Sequence, residues 1–330
     1  MPVYVNQLFY MLVFPGFAFL AFFALAAEYV DRKLHAKLQQ RIGPPWFQPL
    51  ADIIKLAAKE DLMPERADRW MFKLTPIVAL ASTVTAFIYI PVWSRQAPLA
   101  FEGDVIVVLY LLTIPTFTFF LGGWYSRSVF SMIGAARTLT QLFAYEIPLF
   151  ISILSAALLA GTPVAGAPKD IFHFNWSLSG MSAFYHDHPA FAACNAIGFF
   201  IALIALLGKL EKVPFDIPDA ETEIGAGTFT EYSGRLLAMF RLTISIEMIV
   251  GASLLAAVFI PFGLDFGPAA GFVFYVLKVL FVVCLLSVAR TIFARLRIDQ
   301  MINFCWKVAA PIAFVQLLLN LVVKALLTSA

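Results

Sequence analysis

The sequence predicts an all-α protein: a polytopic integral membrane helical bundle of about eight transmembrane helices, plus one amphipathic surface helix. Apolar residues make up 61% of its 330 residues and charged residues only 13%, whereas soluble chains have about 45–50% and about 25%. So few charges cannot cover such a core in water, so lipid must solvate much of the surface. Apolar stretches run from end to end, which predicts a single membrane domain over residues 1–330.

Eight stretches are long enough to cross a bilayer, which takes roughly 20 mostly apolar residues in a helix. They lie at about 8–29, 72–93, 105–125, 143–160, 190–208, 242–260, 271–289 and 303–326. Several contain an interior proline, which a membrane helix tolerates when its neighbours satisfy the freed carbonyl group. We therefore expect kinked spans in a packed bundle.

A short amphipathic helix is predicted between the first two spans. Leu50, Ile53, Ile54 and Ala57 recur at helical spacing after Pro49, and the apolar pattern continues through Ala58 and Leu62. Such a helix lies along a membrane surface with its apolar face down. It can be a plain surface anchor or a roof over an entrance to the bundle interior.

The charge of the connecting segments predicts the orientation. Connectors 31–71, 126–142, 209–241 and 290–302 hold most of the Lys and Arg residues, whereas those on the other side hold Arg95 and Lys169. By the positive-inside rule, the basic connectors face the cytoplasm, and eight spans then place both termini outside. We expect an integral protein of a prokaryotic plasma membrane.

The third basic connector, 209–241, also contains the densest acidic cluster of the chain. Its carboxylates are Glu211, Asp216, Asp219, Glu221, Glu223 and Glu231. Pro218 and the glycines at 225 and 227 favour an irregular backbone, in which Glu221 and Glu223 would point the same way. A simple solvated loop would be enough to explain the presence of these acidic residues. Partly desolvated neighbouring carboxylates would instead have raised, coupled pKa values that suit proton uptake.

Two carboxylates are predicted inside the spans themselves. Glu146 follows Tyr145 near the cytoplasmic end of an apolar helix, and Glu247 lies several residues into the sixth span. Ionisable residues inside a membrane usually face the bundle interior or a water-filled path. We therefore predict a polar path for protons that includes Glu146 and Glu247.

The last basic connector contains Arg295, Arg297 and Asp299. Its arginines can simply enforce topology, or they can dock an acidic partner subunit. No metal site is predicted, because the three cysteines lie far apart and the pair His186 and His188 has no further ligands nearby. The chain has no nucleotide-binding motif either, and no nucleic-acid partner is expected.

Several collinear motifs carry a family resemblance over almost the whole chain. They are Asp31-Arg32-Lys33, Gln40-Arg41-Ile42-Gly43-Pro44, Gln48-Pro49-Leu50-Ala51-Asp52, Lys59-Glu60-Asp61, Arg137 with Gln141 and Tyr145-Glu146-Ile147-Pro148, Pro214-Phe215-Asp216, Ala220-Glu221-Thr222-Glu223, Glu231-Tyr232-Ser233-Gly234, Arg295-Leu296-Arg297 with Asp299-Gln300, and Trp306-Lys307. With them the chain resembles the family of membrane subunit 1/H (subunit 1 in mitochondria) of NADH:quinone oxidoreductase, respiratory complex I. That family includes the equivalent subunit of energy-converting membrane-bound nickel–iron hydrogenases.

The resemblance implies a subunit that docks the peripheral redox arm, helps form the quinone chamber, and couples electron transfer to proton or sodium translocation. The implied coupling path comprises Glu146, Glu211, Asp216, Asp219, Glu221, Glu223, Glu231 and Glu247. The implied chamber or docking residues are Arg32, Arg41, Gln48, Asp52, Arg137, Tyr145, Phe215, Tyr232, Arg295, Arg297 and Asp299. The chain itself would bind no cofactor. Quinone would bind at an interface. Iron–sulfur clusters, and in a hydrogenase also a nickel–iron centre, would lie on peripheral-arm subunits. Other membrane-arm subunits would be further partners.

Two departures from the complex I pattern favour an alternative without quinone. The segment from Gly43 to Gln48 is shorter than in complex I members and looks more like the hydrogenase relatives. Lys209 stands five residues before Pro214-Phe215-Asp216, where complex I members commonly have a Glu. The same subunit in a hydrogenase or a ferredoxin-driven ion pump is therefore the alternative. A stand-alone secondary transporter is a more distant one, because no half-to-half repeat is visible.

Overall fold

The computed structural model describes residues 9–92, 94–161, 173–219, 221–263 and 267–329, and every regular element in these ranges is helical. Numbered in chain order, the helices are α1 (Phe17–Leu38), α2 (Gln48–Ala57), α3 (Arg69–Ile88), α4 (Asp104–Tyr125), α5 (Val129–Ala160), α6 (Leu178–Asp187), α7 (Pro189–Cys194), α8 (Ala196–Lys209), α9 (Glu221–Ile224), α10 (Gly234–Phe259), α11 (Pro268–Ile292), α12 (Ile298–Phe304) and α13 (Ala310–Ser329). A short 3-10 turn, Gly227–Phe229, follows α9.

Seven helical segments in the described ranges are long and apolar enough to cross a membrane. They correspond to predicted spans one to four and six to eight, and the prediction of an all-α membrane bundle is confirmed. The helix α10 is the most enclosed of these segments. It packs against α1, α3, α8 and α11, so the core of the bundle surrounds it.

The fifth predicted span, 190–208, is divided into α7 and the 14-residue α8. At about 1.5 Å per residue, α8 is ~21 Å long, which is less than the ~30 Å hydrocarbon layer. Asn195 separates the two helices, and its side-chain amide donates to the Tyr185 hydroxyl at 2.8 Å. Because its Oδ1 accepts from Asn320 at 2.5 Å, a buried polar network fixes this break. The eight spans expected are thus seven long segments and one shorter helix.

The predicted amphipathic helix is α2, which begins with Gln48 and Pro49. It ends at Ala57, so the predicted apolar stripe extends past the helix at Ala58 and Leu62. Leu50 and Ile54 are exposed on its outer side. The helix thus presents an apolar face outward while the opposite face turns towards the bundle, as described below.

Proline and glycine positions shape two other helices. Pro311 has no N–H to donate to the carbonyl of Lys307, and the helix between α12 and α13 widens into a π-helical segment, Cys305–Ala309, at this place. The connector 126–142 is mostly helical, because α5 begins at Val129 and runs for 32 residues. Gly134 on α5 permits close packing, since a Cβ there would lie 2.5 Å from the backbone nitrogen of Thr228.

The backbone around Glu221 and Glu223 differs from the prediction of an irregular segment. Residues Glu221–Ile224 form one helical turn, α9. Pro218 and Gly225 delimit this turn instead of preventing it, and residues two apart on a helix do not share a face. The expectation of an irregular backbone is therefore wrong, whereas the common direction of the two carboxylates stays a prediction. The side chain of Glu221 itself lies outside the described part of the chain.

Candidate functional site

A cavity of about 570 Å³ opens between α1, α2, α10 and the acidic connector. Its walls combine acidic side chains with basic ones. The acids are Glu28, Asp31, Asp52, Glu211, Asp216 and Asp219, and the bases are Arg32, Lys212, Arg241, Arg290 and Arg295. Apolar Ile53, Leu56, Val213, Ile244 and Met248 line the remaining wall. Binding pockets of this size, about 300–1,000 Å³, accept a small molecule.

Asp31 is the most enclosed charge of this cavity and joins three elements. Its Oδ2 accepts from Lys212 at 2.7 Å and from Arg290 at 3.0 Å. The hydroxyl of Ser287 donates to its backbone carbonyl at 3.0 Å. Asp31 therefore ties α1 to the acidic connector and to α11. Sequence reasoning missed its role, and the signal available was a carboxylate directly before Arg32 at the end of an apolar span.

Arg32 links the first helix to α2 across the mouth of the cavity. It forms an ion pair with Glu28 one turn earlier and another with Asp52 at 2.8 Å. Gln48 donates to the second oxygen of Asp52 at 2.8 Å, and Ser245 on α10 donates to Glu28 at 2.6 Å. Burial raises the pKa of Asp52, but the hydrogen bonds from Arg32 and Gln48 lower it further, so the pKa lies below its usual value.

Two acids of the connector face arginines from other elements. Asp216 lies 3.6 Å from Arg295, which also donates to the Asp216 carbonyl. Asp219 lies 3.6 Å from Arg241 on α10. These pairs fold the connector over the cavity. Phe215 holds the connector against the bundle, because its ring is buried and its centre lies 6.4 Å from that of the Phe304 ring.

Glu211 is a carboxyl group of the connector that is buried and has a shifted pKa. It is buried, and its Oε1 accepts no hydrogen bond from the residues described. Burial raises its pKa well above the usual value, and the negative charges of Asp219, Glu247 and Asp216 raise it further. Glu211 therefore binds a proton more tightly than an exposed glutamate does, at the wall of a charged cavity.

A buried ion pair extends this charged region into the bundle. Lys209, the last residue of α8, is 2% exposed, and Glu247 on α10 is 0% exposed. Nζ of Lys209 lies 3.1 Å from Oε1 of Glu247, and it also donates to the carbonyl of Leu112. Tyr145 is next to this pair, with its ring centre 5.7 Å from Nζ and its hydroxyl 3.0 Å from that of Thr116.

Glu146 belongs to a second cavity, which opens on the lateral surface of the bundle. This cavity of about 380 Å³ is lined by Glu146 and by apolar and aromatic neighbours, among them Tyr110, Phe117, Phe143 and Phe150. A carboxyl group at an otherwise apolar lateral opening is costly to expose to lipid. The surface around Glu146 is therefore suited to contact with another membrane protein.

A third cavity, of about 360 Å³, gathers charged residues from three of the basic connectors. Arg137, Glu223, Arg295, Arg297 and Asp299 line it. Arg137 donates to Glu223 at 2.6 Å, and this hydrogen bond lowers the pKa of Glu223 below its usual value. Because Arg295 lines both this cavity and the first one, the two are neighbours.

Three of the predicted site residues lie elsewhere. Arg41 is exposed beyond the end of α1, and Glu231 lines none of the three cavities. Tyr232 stacks on Phe72 with ring centres 4.0 Å apart, and it shares a hydrogen bond of 3.1 Å with Thr75. Tyr232 therefore packs a separate aromatic cluster. In the described ranges, no group of three or more His, Cys, Asp or Glu residues is arranged to hold a metal ion.

Comparison with known proteins assigns the family. The sequence profile of the NADH dehydrogenase family matches residues 11–321. The corresponding membrane subunit (1/H) of NADH-quinone oxidoreductase from Carboxydothermus hydrogenoformans is 32% identical over 314 residues, which cover 92% of this chain and 85% of the relative. The same subunit from Bacillus cytotoxicus is 34% identical over 328 residues, covering 96% and 92%.

The fold matches a solved membrane complex as well. A chain of the membrane-bound sulfane sulfur reductase, an archaeal respiratory membrane complex, superimposes with a TM-score of 0.81 at 24% identity. The match covers 97% of this chain and 100% of that one. At this level of identity it supports the fold alone. Together, the family profile and the relatives show that the chain belongs to the NADH dehydrogenase family, the family of complex I subunit 1/H, and is a subunit of an NADH-quinone oxidoreductase-like membrane complex.

Proposed function

We propose that this chain docks the peripheral redox arm of its complex, helps form a chamber for a quinone headgroup, and couples electron transfer to proton or sodium translocation. The observation that carries this proposal is the continuity of the charged groups. The cavity wall at Glu211 adjoins the buried pair of Lys209 and Glu247, which adjoins Tyr145 and Glu146 at the lateral cavity. Intramembrane ionisable groups arranged in this way are typical of ion paths.

The first cavity suits a quinone headgroup in its size and its donors. At about 570 Å³ it can enclose one substituted ring. Arg32 and Arg241 can donate hydrogen bonds to ring carbonyls, while Ile53, Val213 and Met248 supply apolar contacts. A quinone accepts two electrons and two protons. Glu211 at the wall, whose pKa burial raises, is a candidate donor for one of those protons.

The orientation and partners follow from the same proposal. The connectors 31–71, 126–142, 209–241 and 290–302 would face the cytoplasm of a prokaryote and carry the peripheral arm, because they bear most of the basic residues. The arm would contact the third cavity through Arg295, Arg297 and Asp299, together with Arg137 and Glu223. Iron–sulfur clusters would lie on those partner subunits. Other membrane-arm subunits would cover the opening at Glu146, and the chain would act as one membrane domain.

A second candidate is the same coupling role without quinone, as in a membrane-bound nickel–iron hydrogenase or a ferredoxin-driven ion pump. The charge of the first cavity favours this alternative, because carboxylates and cations line more of it than apolar side chains do. Lys209, placed where complex I members commonly have a Glu, also favours it. Family membership leaves a stand-alone transporter with little support.

The test starts from the complex purified from its native membrane, with its subunits identified by mass spectrometry. Three reactions are assayed side by side: NADH oxidation by decylubiquinone, hydrogen evolution from reduced ferredoxin, and polysulfide reduction. The active reaction is then driven in reconstituted vesicles while a pH-sensitive dye and radioactive sodium report on ion movement. The proposal predicts a multi-subunit redox complex that builds an ion gradient. Isolation of this chain alone, or redox turnover without any ion gradient, would contradict it.

A further inference from the structure

A series of buried side-chain hydrogen bonds joins the break between α7 and α8 to α13. Gln316 donates to Asn320 at 3.1 Å, and Asn320 donates to Asn195 at 2.5 Å. Asn195 donates to the Tyr185 hydroxyl at 2.8 Å, which donates in turn to the carbonyl of Ala156 at 2.6 Å. Each of the four side chains belongs to a residue that is 1% exposed or less, so neither lipid nor a partner chain reaches this network.

The hydrogen bonds of this network all run in one direction. The Ala156 carbonyl can only accept, so the Tyr185 hydroxyl uses its one hydrogen there and accepts from Asn195. The order of donation along the network follows from this end. Gln316 is oriented independently, because its Nε2 also donates to the carbonyl of Cys194 at 2.7 Å. A rotated Gln316 amide would place two acceptors face to face.

The network therefore begins at an acceptor that needs a donor. Oε1 of Gln316 is buried and accepts no hydrogen bond from the residues described. Both amide hydrogens of Gln316 are engaged, one with Cys194 and one with Asn320. A buried amide oxygen without a donor is costly, and native proteins leave few such groups unsatisfied. The missing hydrogen must come from a further molecule.

A glycine of α8 leaves room for such a molecule beside Gln316. A Cβ built at Gly198, which is buried, would lie 3.8 Å from Cγ of Gln316 and 3.4 Å from the nearest ring carbon of Phe259. These are ordinary van der Waals distances, so the space of about one methyl group adjoins the Gln316 side chain. By contrast, a Cβ at Gly251 on α10 would lie 2.4 Å from the side chain of Leu206.

The chemistry of the network selects water for this space. A buried water needs two to four polar partners. Oε1 of Gln316 can accept one of its hydrogens, and the carbonyl of Cys194 can accept the other, because a carbonyl oxygen has two lone pairs.

A metal cation fits less well than water does. Among the residues described, the hydrogen-bond partners within the network are amides, hydroxyls and backbone carbonyls, without a carboxylate to compensate an ion removed from water. Lys324, one helical turn beyond Asn320 on α13, is a buried cation and would repel a second one.

We propose that one buried water molecule binds between Gly198 and Gln316, donates to Oε1 of Gln316 and to the carbonyl of Cys194, and completes the network that fixes the break between α7 and α8. The inference is independent of the coupling function proposed above, because no acid of the proposed ion path takes part. It accounts for a broken helix in a membrane protein, where every polar group near the break needs a partner.

The experiment combines a cryo-EM map of the complete complex, at a resolution that shows buried waters elsewhere in it, with thermal unfolding midpoints. We expect a density peak about 2.5–3.0 Å from Oε1 of Gln316 in the wild type. Gly198→Ala puts a methyl group into the same space. It should remove the peak and lower the midpoint by about 2 °C or more, although Ala normally stabilises a helix interior relative to Gly.

Gly198→Ser is the matched variant, because its hydroxyl can donate to Gln316 in place of the water. Its midpoint should lie close to that of the wild type and above that of Gly198→Ala. Neither the map nor the midpoint depends on turnover, so this inference and the proposed function can fail separately.

Four outcomes would overturn the inference. The first is a wild-type map that shows other buried waters but no peak at Gln316, and the second is a midpoint for Gly198→Ala at or above that of the wild type. The third is a Gly198→Ser variant no more stable than Gly198→Ala. The fourth is a wild-type midpoint that rises with sodium chloride but not with choline chloride at equal ionic strength, because the site would then hold a sodium ion. If Gly198→Ala fails to assemble, the wild-type map decides.

Discussion

Lys212 and Asp31 form an ion pair of 2.7 Å between the acidic connector and the first long helix, across 181 residues of sequence. Arg290 approaches the same carboxylate oxygen at 3.0 Å. The geometry of the whole charged cavity depends on this junction, because three elements of its wall meet there. Removal of this ion pair should therefore disrupt the assembly of the cavity, and not only a reaction that takes place in it.

Asp31→Asn should destabilise the protein strongly. The substitution leaves Lys212 and Arg290 without their buried counter-charge, and breaking a buried pair in this way costs about 3–5 kcal/mol. The measurement is the thermal unfolding midpoint of the purified complex, with the amount of this chain retained in it. Asp187→Asn is the matched control, because Asp187 forms its pair with Arg95 at an exposed site. Equal midpoints for the two variants would contradict the structural role of Asp31.

Glu211→Gln should change how stability depends on pH. The folded pKa of Glu211 is raised, so its contribution to stability is full below its unfolded pKa and is lost as pH rises through the folded pKa. The wild type should therefore lose stability relative to Glu211→Gln as the pH rises from about 4.3, the usual pKa of a glutamate, towards the raised folded pKa. Thermal midpoints of both proteins across that range provide the test. Parallel curves would show that Glu211 ionises as freely in the fold as outside it.

Arg295→Ala should weaken the attachment of the peripheral arm. Arg295 holds Asp216 by its carboxylate and its carbonyl, and it lines the cavity that we assign to docking. A charged hydrogen bond from Arg295 to the arm would contribute about 1.5–3 kcal/mol, or roughly 10- to 100-fold in affinity. Retention of arm subunits during purification at rising salt measures the effect. Arg66→Ala, an exposed change in the first connector, should retain them, and equal retention by both would remove Arg295 from the interface.

Asn320→Leu should loosen the bundle around Asn195 without changing the charged path. Asn320 donates to Ser155 at 2.8 Å and to Asn195 at 2.5 Å, so Leu would leave buried polar groups unsatisfied at about 1–3 kcal/mol each. The thermal midpoint should fall, while ions translocated per electron in the surviving complex stay unchanged. A loss of translocation at normal stability would place this network in the ion path instead.

The membrane fold could be predicted from sequence because it follows from composition and apolar length, which are local properties. The acidic wall of the cavity could also be predicted in part, because Glu211, Asp216 and Asp219 are near one another in the chain. The partner of Asp31 could not, since Arg290 is 259 residues away. The break at Asn195 is missed for the same reason, because Asn320, 125 residues away, helps to stabilise it. Pairings of this kind depend on the packed bundle.

The pair of Glu221 and Glu223 shows a different limit. Proline and glycine in the sequence indicate an irregular backbone, but a single helical turn fits between Pro218 and Gly225. Glu223 then meets Arg137 of α5, a contact that no local pattern encodes. Its carboxylate thus lines the cavity that we propose for docking, apart from the buried axis that we propose for ions.

The most direct test of the central claim is the number of ions translocated per electron by Glu247→Gln in reconstituted vesicles. Glu247 is the acid within the bundle that pairs with Lys209, so the account predicts a less stable complex whose assembled fraction translocates at least about tenfold fewer ions per electron. Glu65→Gln, which changes an exposed carboxylate in the first basic connector, should translocate normally. Full translocation by Glu247→Gln would show that ions do not use this path, and would contradict the account.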